Sequence, residues 1–210
     1  MILKEIKVQS GNMGMRTNCY IIIDEQTKRA MIIDPGGESE KILQYIEEND
    51  LIIEYIVLTH CHADHIASVK EIREKTDGRI CIHRLDSIGL MDKTYSLADY
   101  VEVDNPNINA EILLNEDDIL TVGSLRFKVI HTPGHTQGSI CLYGNDILIS
   151  GDTLFNGAWG RTDLPTSSFE DIIGSIVNKL MILPDNTIVY PGHGISTIIK
   201  DEKPMYLELR

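Results

Sequence analysis

Residues 59–65 read Thr-His-Cys-His-Ala-Asp-His, which places His60, His62, Asp64 and His65 within six positions. Imidazoles and carboxylates are ordinary ligands of zinc, iron and manganese, and one tight turn presents all four side chains together. The turn follows an apolar run, 55–58, that reads as a buried strand. No packing requirement calls for three imidazoles and a carboxylate at the end of a core element. The turn is therefore expected to carry half of a metal site, whose chemistry would be the activation of water and the polarisation of a carbonyl.

Three later residues share one feature with that turn. His135 lies in Thr-Pro-Gly-His-Thr, Asp152 in Ser-Gly-Asp-Thr and His193 in Pro-Gly-His-Gly, each just past an expected strand. Glycine beside each of them lets the backbone turn tightly and leaves room for an ion. If these strand ends lie on one edge, the side chains converge. His60 and His62, two apart on an extended turn, would face one ion, with His135 as its third nitrogen. Asp64 and His65 point differently and would take a second ion together with His193. Asp152 has two oxygens and can bridge the pair. Two metals roughly 3.5–4 Å apart would hold a bridging water as hydroxide near neutral pH. Zinc is the first expectation, and the nitrogen and oxygen donors also suit iron or manganese.

Other residues have plainer readings. His83 and His131 are expected to be structural, His83 opening a helix and His131 ending a strand, with support of the metal ligands from behind as the alternative for His131. Cys61 alternates with the two ligands beside it, so its thiol should point into the core. Asp34, after Ile32-Ile33, either orients the metal turn by hydrogen bonds or makes an ordinary Asp-Pro turn. Arg161 and Asp163 are read as a loop salt bridge, with capture of a substrate carboxylate by Arg161, or bracing of the Asp152 loop, as the alternatives. Phe155 and Trp159 either line a cleft or pack.

The elements that must position these residues follow from periodicity. Strands are expected over 2–8, 19–23, 30–33, 55–58, 79–82, 119–122, 125–130, 140–143, 146–150 and 187–190, with a loop marked by Gly11, Gly14 and Asn18. Helices are expected over 38–49, from near His65, over 84–90, over 169–180 opened by Ser167 or Ser168, and around 196–203. Hairpin turns are expected at Gly123-Ser124 and Gly144-Asn145. The stretch 92–110 is polar and weakly patterned, and reads as a loop near the site or as a surface connection. Strands in two runs, each followed by helices, predict two sheets covered outside by helices.

The bulk numbers narrow the function. The chain of 210 residues is 42% hydrophobic, enough for a sizeable core, and no repeat or linker divides it, so 1–210 is expected to form one domain. Asp and Glu number 32 against 19 Lys and Arg, net −13, with no basic run to follow a phosphate backbone, so nucleic acid is not an expected partner. No stretch approaches a membrane span, and the N-terminus lacks the pattern of a signal peptide. Four cysteines without short paired spacing point to a reducing, cytoplasmic setting. Oligomeric state is not legible.

These motifs together resemble the metallo-β-lactamase superfamily. Thr59-His60-Cys61-His62-Ala63-Asp64-His65 matches its hallmark metal motif, and Thr132-Pro133-Gly134-His135-Thr136, Gly151-Asp152-Thr153 and Gly192-His193-Gly194 match the later ones in order. The resemblance covers about residues 13–200. It implies an α+β fold, an αβ/βα four-layer sandwich with two mixed sheets, the site on one edge, and the division of ligands given above. Ser150-Gly-Asp-Thr-Leu-Phe and Gly160-Arg-Thr-Asp-Leu-Pro look like the short glyoxalase II-like hydrolases. That likeness implies a small-molecule thioester substrate such as S-lactoylglutathione, attacked by a metal-bridging hydroxide, with Asp64 also orienting the nucleophile or accepting its proton. Aspartate at position 152 argues against the commonest class of true β-lactamases, which carries cysteine there. Typical glyoxalase II enzymes have a further C-terminal helical region that binds glutathione; here only 194–210 follow His193, so no separate glutathione-binding domain is expected. The motifs are also similar to persulfide dioxygenases, which use one iron; Gly192-His193-Gly194 favours two metals. A non-catalytic metal-binding scaffold is the remote alternative.

Overall fold

The structure is a computed structural model describing residues 1–11, 14 and 16–207. Residues 12, 13, 15 and 208–210 lie outside the described residues, and with them part of the loop expected between Gly11 and Asn18.

The first sheet runs in the order β1 (Ile2–Gln9), β2 (Arg16–Ile23), β3 (Arg29–Ile33), β4 (Ile52–Leu58), β5 (Arg79–His83) and β6 (Ile112–Leu114). Its first three strands pair antiparallel and the rest parallel. The parallel part is made by helical crossovers, α1 (Ser39–Glu48) between β3 and β4, then α2 (Ala63–Ile66) and α3 (Val69–Lys75) between β4 and β5. The second sheet contains β7 (Ile119–Val122), β8 (Leu125–His131), β9 (Ile140–Gly144), β10 (Ile147–Gly151), β13 (Ile188–Pro191) and β14 (Thr197–Ile198). Its order is β14-β13-β10-β9-β8-β7, and only β10 and β13 are parallel.

Side-chain alternation sorts these strands into layers. Tyr20, Ile22, Met31, Ile33 and Val57 of the first sheet meet Phe127, Val129, Leu142 and Ile149 of the second in one buried cluster between the sheets. The alternate positions Ile21, Ile32, Ile56 and Ile80 face outward and are covered by Ile42 of α1 and by Val69 and Ile72 of α3. On the far side, Leu148 and Val189 are covered by Ile172 of α6 (Phe169–Ser175) and by Ile199 and Tyr206 of α7 (Ile199–Leu207). Strands buried on both faces need near-continuous apolar runs, and β2 to β5 have them. The result is the expected four-layer α+β sandwich.

Several expectations shift in detail. The helix expected from near His65 is two pieces, α2 and α3, with the Ser68 amide between them donating to Pro35 O at 2.9 Å. The helix over 169–180 is capped by Ser168, whose Oγ accepts the Asp171 amide, and its last turn widens to a π-helix over Ile176–Leu180. The β9–β10 turn lies one residue later than expected: Asn145 and Asp146 both have positive φ, 52° and 62°, as a type I′ turn requires. His83 does not open a helix; it ends β5, and a 3-10 turn follows at Ser87–Leu90. The last helix starts at Ile199, after the short strand β14 that periodicity did not reveal.

The stretch 92–110 is more than a connection. It contains α4 (Lys93–Ser96) and α5 (Ala98–Val101), joined by Leu97 in a left-handed conformation with φ 60°. After β10, two two-residue strands, β11 (Leu154–Phe155) and β12 (Ala158–Trp159), form a small ribbon. Both features border the site.

Candidate metal centre

All seven residues singled out by type and spacing meet at one edge of the sandwich. β4 delivers the motif turn, with His60 on the bend that follows the strand, His62 on extended backbone and Asp64 and His65 on the single turn of α2. His135 follows β8, Asp152 follows β10 and His193 follows β13. Backbone hydrogen bonds stitch these ends together: Asn18 N to Gly192 O at 2.7 Å, Gly192 N to Gly151 O at 2.8 Å, and Ile140 N to Thr59 O at 2.8 Å. A side chain at position 192 is excluded, because its Cβ would overlap Asp152 Oδ1 and sit 2.7 Å from His65 Cε1.

Two buried carboxylates hold the motif turn. Asp34, at the end of β3, accepts the Thr59 amide at 2.8 Å and the Thr59 hydroxyl at 2.6 Å, and its Oδ2 lies 2.9 Å from His65 Nδ1. Of the two readings of Asp34, it is the orienting one that the contacts bear out. Asp34 also lies within ligand reach of His60 and His65, but its oxygens are already engaged by Thr59 and by the outer nitrogen of His65. Asp86 accepts from Cys61 N at 3.0 Å, Gly138 N at 2.7 Å and Thr136 Oγ1 at 2.6 Å, so it ties the motif turn to the loop that carries His135. Sequence reasoning missed Thr59 and Asp86 as holders of the site. Cys61 is buried in the core beneath the first sheet, as its alternation with His60 and His62 implies.

The hydrogen bonds on the outer ring nitrogens define how the histidines face inward. Nδ1 of His65 meets Asp34 Oδ2, Nδ1 of His135 meets Arg161 O at 2.9 Å, and Nδ1 of His193 meets Arg16 O at 2.9 Å. Nδ1 of His60 lies 3.1 Å from Thr59 Oγ1, a hydroxyl whose own proton goes to Asp34. Each acceptor takes the Nδ1 proton and leaves the Nε2 lone pair free, the form in which imidazole binds a metal. His62 is turned the other way, with Nδ1 2.9 Å from His135 Nε2.

Two triads result, His60–His62–His135 and Asp64–His65–His193. Asp152 lies between them, 3.5 Å from His135 Nε2, 3.4 Å from His65 Nε2 and 3.4 Å from His193 Nε2. His60 Nε2, His62 Nε2 and Asp152 Oδ1 are buried with no hydrogen-bond partner. An unsatisfied buried polar atom costs about 1–3 kcal/mol, and a cation at the centre would remove that cost for His60 Nε2 and Asp152 Oδ1, while His62 offers the centre its Nδ1. The residues present therefore suit a dinuclear metal site, with each ion offered one triad and a share of Asp152.

The electrostatics agree. Burial pushes His60 well below the ordinary imidazole pKa, and the neighbouring imidazoles lower it further. Burial and then His135 bring His62 down to about 3. Burial also lowers His65 and His193, but the carboxylates Asp152 and Asp64 outweigh it and lift them to about 9 and about 11. Burial would raise Asp64, yet His65 and His193 bring it to about 2; Asp152 is held well below 3.8 against burial in the same way. The pair of carboxylates thus demands positive charge at the centre. A cation held there would supply that charge, with the His65 and His193 nitrogens as ligands in place of their protons.

The centre forms the floor of a cleft of about 290 Å³. Leu97, Tyr100 and Val101 make one wall, and Phe155, Trp159 and Leu164 the other. Phe155 stands edge-on to His193 with ring centroids 6.1 Å apart, while Trp159 both lines the cleft and packs against Tyr206. Arg161 reaches the cleft from the second wall and forms the expected two-pronged pair with Asp163, at 2.9 and 3.0 Å. His83 and His131 take no part: their rings stack on each other at 4.0 Å.

The family model of the metallo-beta-lactamase superfamily matches residues 13–193, which includes all seven converging residues. The chain belongs to the metallo-beta-lactamase superfamily. Among curated relatives in this superfamily, the probable metallo-hydrolase YqgX of Bacillus subtilis is 37% identical, covering 90% of each chain. Hydroxyacylglutathione hydrolase GloC of Haemophilus influenzae is 36% identical over 90% of this chain and 91% of that one. Among solved superfamily structures, the BLEG-1 B3 metallo-beta-lactamase superposes with a TM-score of 0.89 at 33% identity over 97% of both chains. ETHE1 from Myxococcus xanthus gives 0.80 at 31% over 97% of this chain and 82% of that one. TTHA1623 in a di-iron-bound form gives 0.81 at 30% over 94% and 97%. Superfamily membership and the geometry together support a metal-dependent enzyme.

Proposed function

We propose that this chain is a dinuclear-metal hydrolase of small thioesters, folded as one domain. The observation that carries the reading is the pair of triads sharing Asp152 at the floor of an apolar cleft. His60, His62 and His135 would hold one cation, Asp64, His65 and His193 the other, and Asp152 both. When bound, the two cations acidify a water and polarise a carbonyl oxygen. Zinc is the proposed metal; iron and manganese suit the same donors, and the di-iron form of TTHA1623 supports iron as an occupant.

The chain's own residues do the rest. Asp34, Thr59, Arg161 O and Arg16 O keep the ligand rings in register, so little reorganisation is left for the reacting state. Asp64 remains ionised, and its Oδ2 orients the attacking water and accepts its proton in passing, since its pKa of about 2 makes it a weak base. The apolar walls exclude bulk water and seat the acyl group. A departing thiolate, with a thiol pKa near ~8.5, needs no strong acid, and none is required of the cleft. The similarity to GloC supports a thioester substrate. The four free, buried cysteines support a reducing, cytoplasmic setting.

The test is a substrate panel with purified protein: S-lactoylglutathione and simpler thioesters, with and without a chelator. Chelator-sensitive thioester hydrolysis is the expected result. The similarity to ETHE1 makes oxygen uptake with glutathione persulfide the necessary second arm; robust uptake with one iron per chain and no hydrolysis would replace the reading. A β-lactam arm answers the likeness to BLEG-1.

A further inference from the structure

Arg161 combines one contact that the reaction described above uses with two that it does not. Its carbonyl oxygen holds His135 Nδ1 at 2.9 Å. Its guanidinium lines the cleft, and it is the one Lys or Arg among the described residues doing so. Asp163 takes two of its N–H groups, from Nε and Nη2, which leaves three of five donors for other partners, Tyr100 among them. The pair is exposed, with side chains 58% and 69% accessible, and an exposed ion pair of this kind is weak enough to be shared. Across the mouth of the cleft stands Tyr100, whose nearness adds to the rise in guanidinium pKa caused first by Asp163.

Apart from the metal centre on its floor, the rest of the cleft offers little to charge. Its walls are otherwise aliphatic or aromatic, and its floor carries Asp64 and Asp152. The chain as a whole is acidic, net −13, so no general field draws anions to the mouth. A volume of about 290 Å³ sits at the low end for small-molecule sites, roughly 300–1,000 Å³. The space therefore suits one compact apolar group and one anchored anion.

We infer that Arg161, with Tyr100 opposite it, is a specificity-determining anion subsite that selects thioesters bearing a single carboxylate close to the reacting carbonyl. This rests on the thioester reading and goes further by fixing the charge and size of the substrate. The planar guanidinium fork suits a carboxylate, and the Tyr100 hydroxyl supplies another donor at the same point. Because the peptide carbonyl of residue 161 also fixes His135, an anion seated on the guanidinium is registered directly against the metal centre.

Trp159 is the chain's single tryptophan and lines this cleft, so binding is readable by fluorescence without turnover. The probes are ketomethylene analogues, in which a methylene replaces the thioester sulfur, added to metal-loaded protein. One carries a carboxylate on the acyl side, one on the thiol side, and each is paired with its uncharged amide. The parent protein should bind one of the two acids about tenfold or more tighter than its amide, and whichever acid does so identifies the side that carries the anion. Arg161→Gln should abolish that preference while metal content stays unchanged, because the carbonyl that holds His135 is backbone. Arg161→Lys should retain part of it, and Tyr100→Phe should weaken it. Equal binding of acid and amide by the parent protein, or equal loss of both in Arg161→Gln, would overturn the inference. Hydrolysis of an uncharged thioester, measured alongside, reports on the thioester reading alone.

Discussion

Asp152 is the residue on which the two triads depend, because its carboxylate stands within 3.5 Å of donors from both. Asp152→Ala should bring bound metal well below the parent level and remove nearly all hydrolysis, while circular dichroism stays close to that of the parent. Two retained ions per chain would refute the shared role. His193→Ala should cost one ion and spare the other, since His193 belongs to the second triad only. Asp34→Asn tests the layer behind the ligands. An amide nitrogen cannot accept the His65 Nδ1 proton if its oxygen stays with Thr59, so metal affinity, measured by competition with a chromophoric chelator, should fall about 10–100-fold. The seven donors were legible in the sequence because their types are uncommon together and each follows a strand beside glycine or within the motif. Asp34 was half legible, since an Asp-Pro pair is also a routine turn. Asp86 was not: it lies in Arg-Leu-Asp-Ser, where neither type nor spacing distinguishes it from a surface aspartate.

Among the elements, the motif turn and the His135 loop are two separate pieces of chain joined by one carboxylate. Asp86→Ala would leave the buried amides of Cys61 and Gly138 and the Thr136 hydroxyl without their acceptor. Urea unfolding should show a loss of about 2–4 kcal/mol, with metal retention impaired even though no ligand has changed. An unaltered midpoint would mean that the two pieces are held by something else. Long elements were read well from periodicity because both faces of β2 to β5 are covered by apolar partners. Short ones were not: β6 and β14 gain their place from neighbouring strands rather than from their own pattern. The cleft wall of 97–101 was hidden for a related reason. Leu97, Tyr100 and Val101 are scattered among polar residues, and only the left-handed turn at Leu97 brings them to one side.

At the scale of the whole molecule, the two sheets meet in an apolar layer that is bordered by the stack of His83 from β5 on His131 from β8. His83 is buried and its Nδ1 accepts the Leu85 amide, which requires the neutral ring. Burial first, and then His131, lower its pKa from 6.5 to about 4. The unfolded chain takes up this proton near pH 6.5 and the folded chain only near 4, so the contribution is complete above the unfolded value and lost as pH falls between them. Its size is at most about 3–4 kcal/mol. His83→Phe should flatten that part of the acid limb, and the difference between the two stability–pH curves isolates it from the metal ligands; parallel curves would contradict the assignment. The four-layer architecture was legible because strand and helix periods alternate cleanly along the chain. The meeting of the seven donors depended on sheet order, which periodicity does not carry. Everything proposed about chemistry requires that this one edge hold two cations through a shared aspartate. Elemental analysis of the purified parent protein beside His193→Ala tests that most directly. The expected result is two ions per chain against about one, and a parent protein that binds no more than one ion under saturating metal would contradict it.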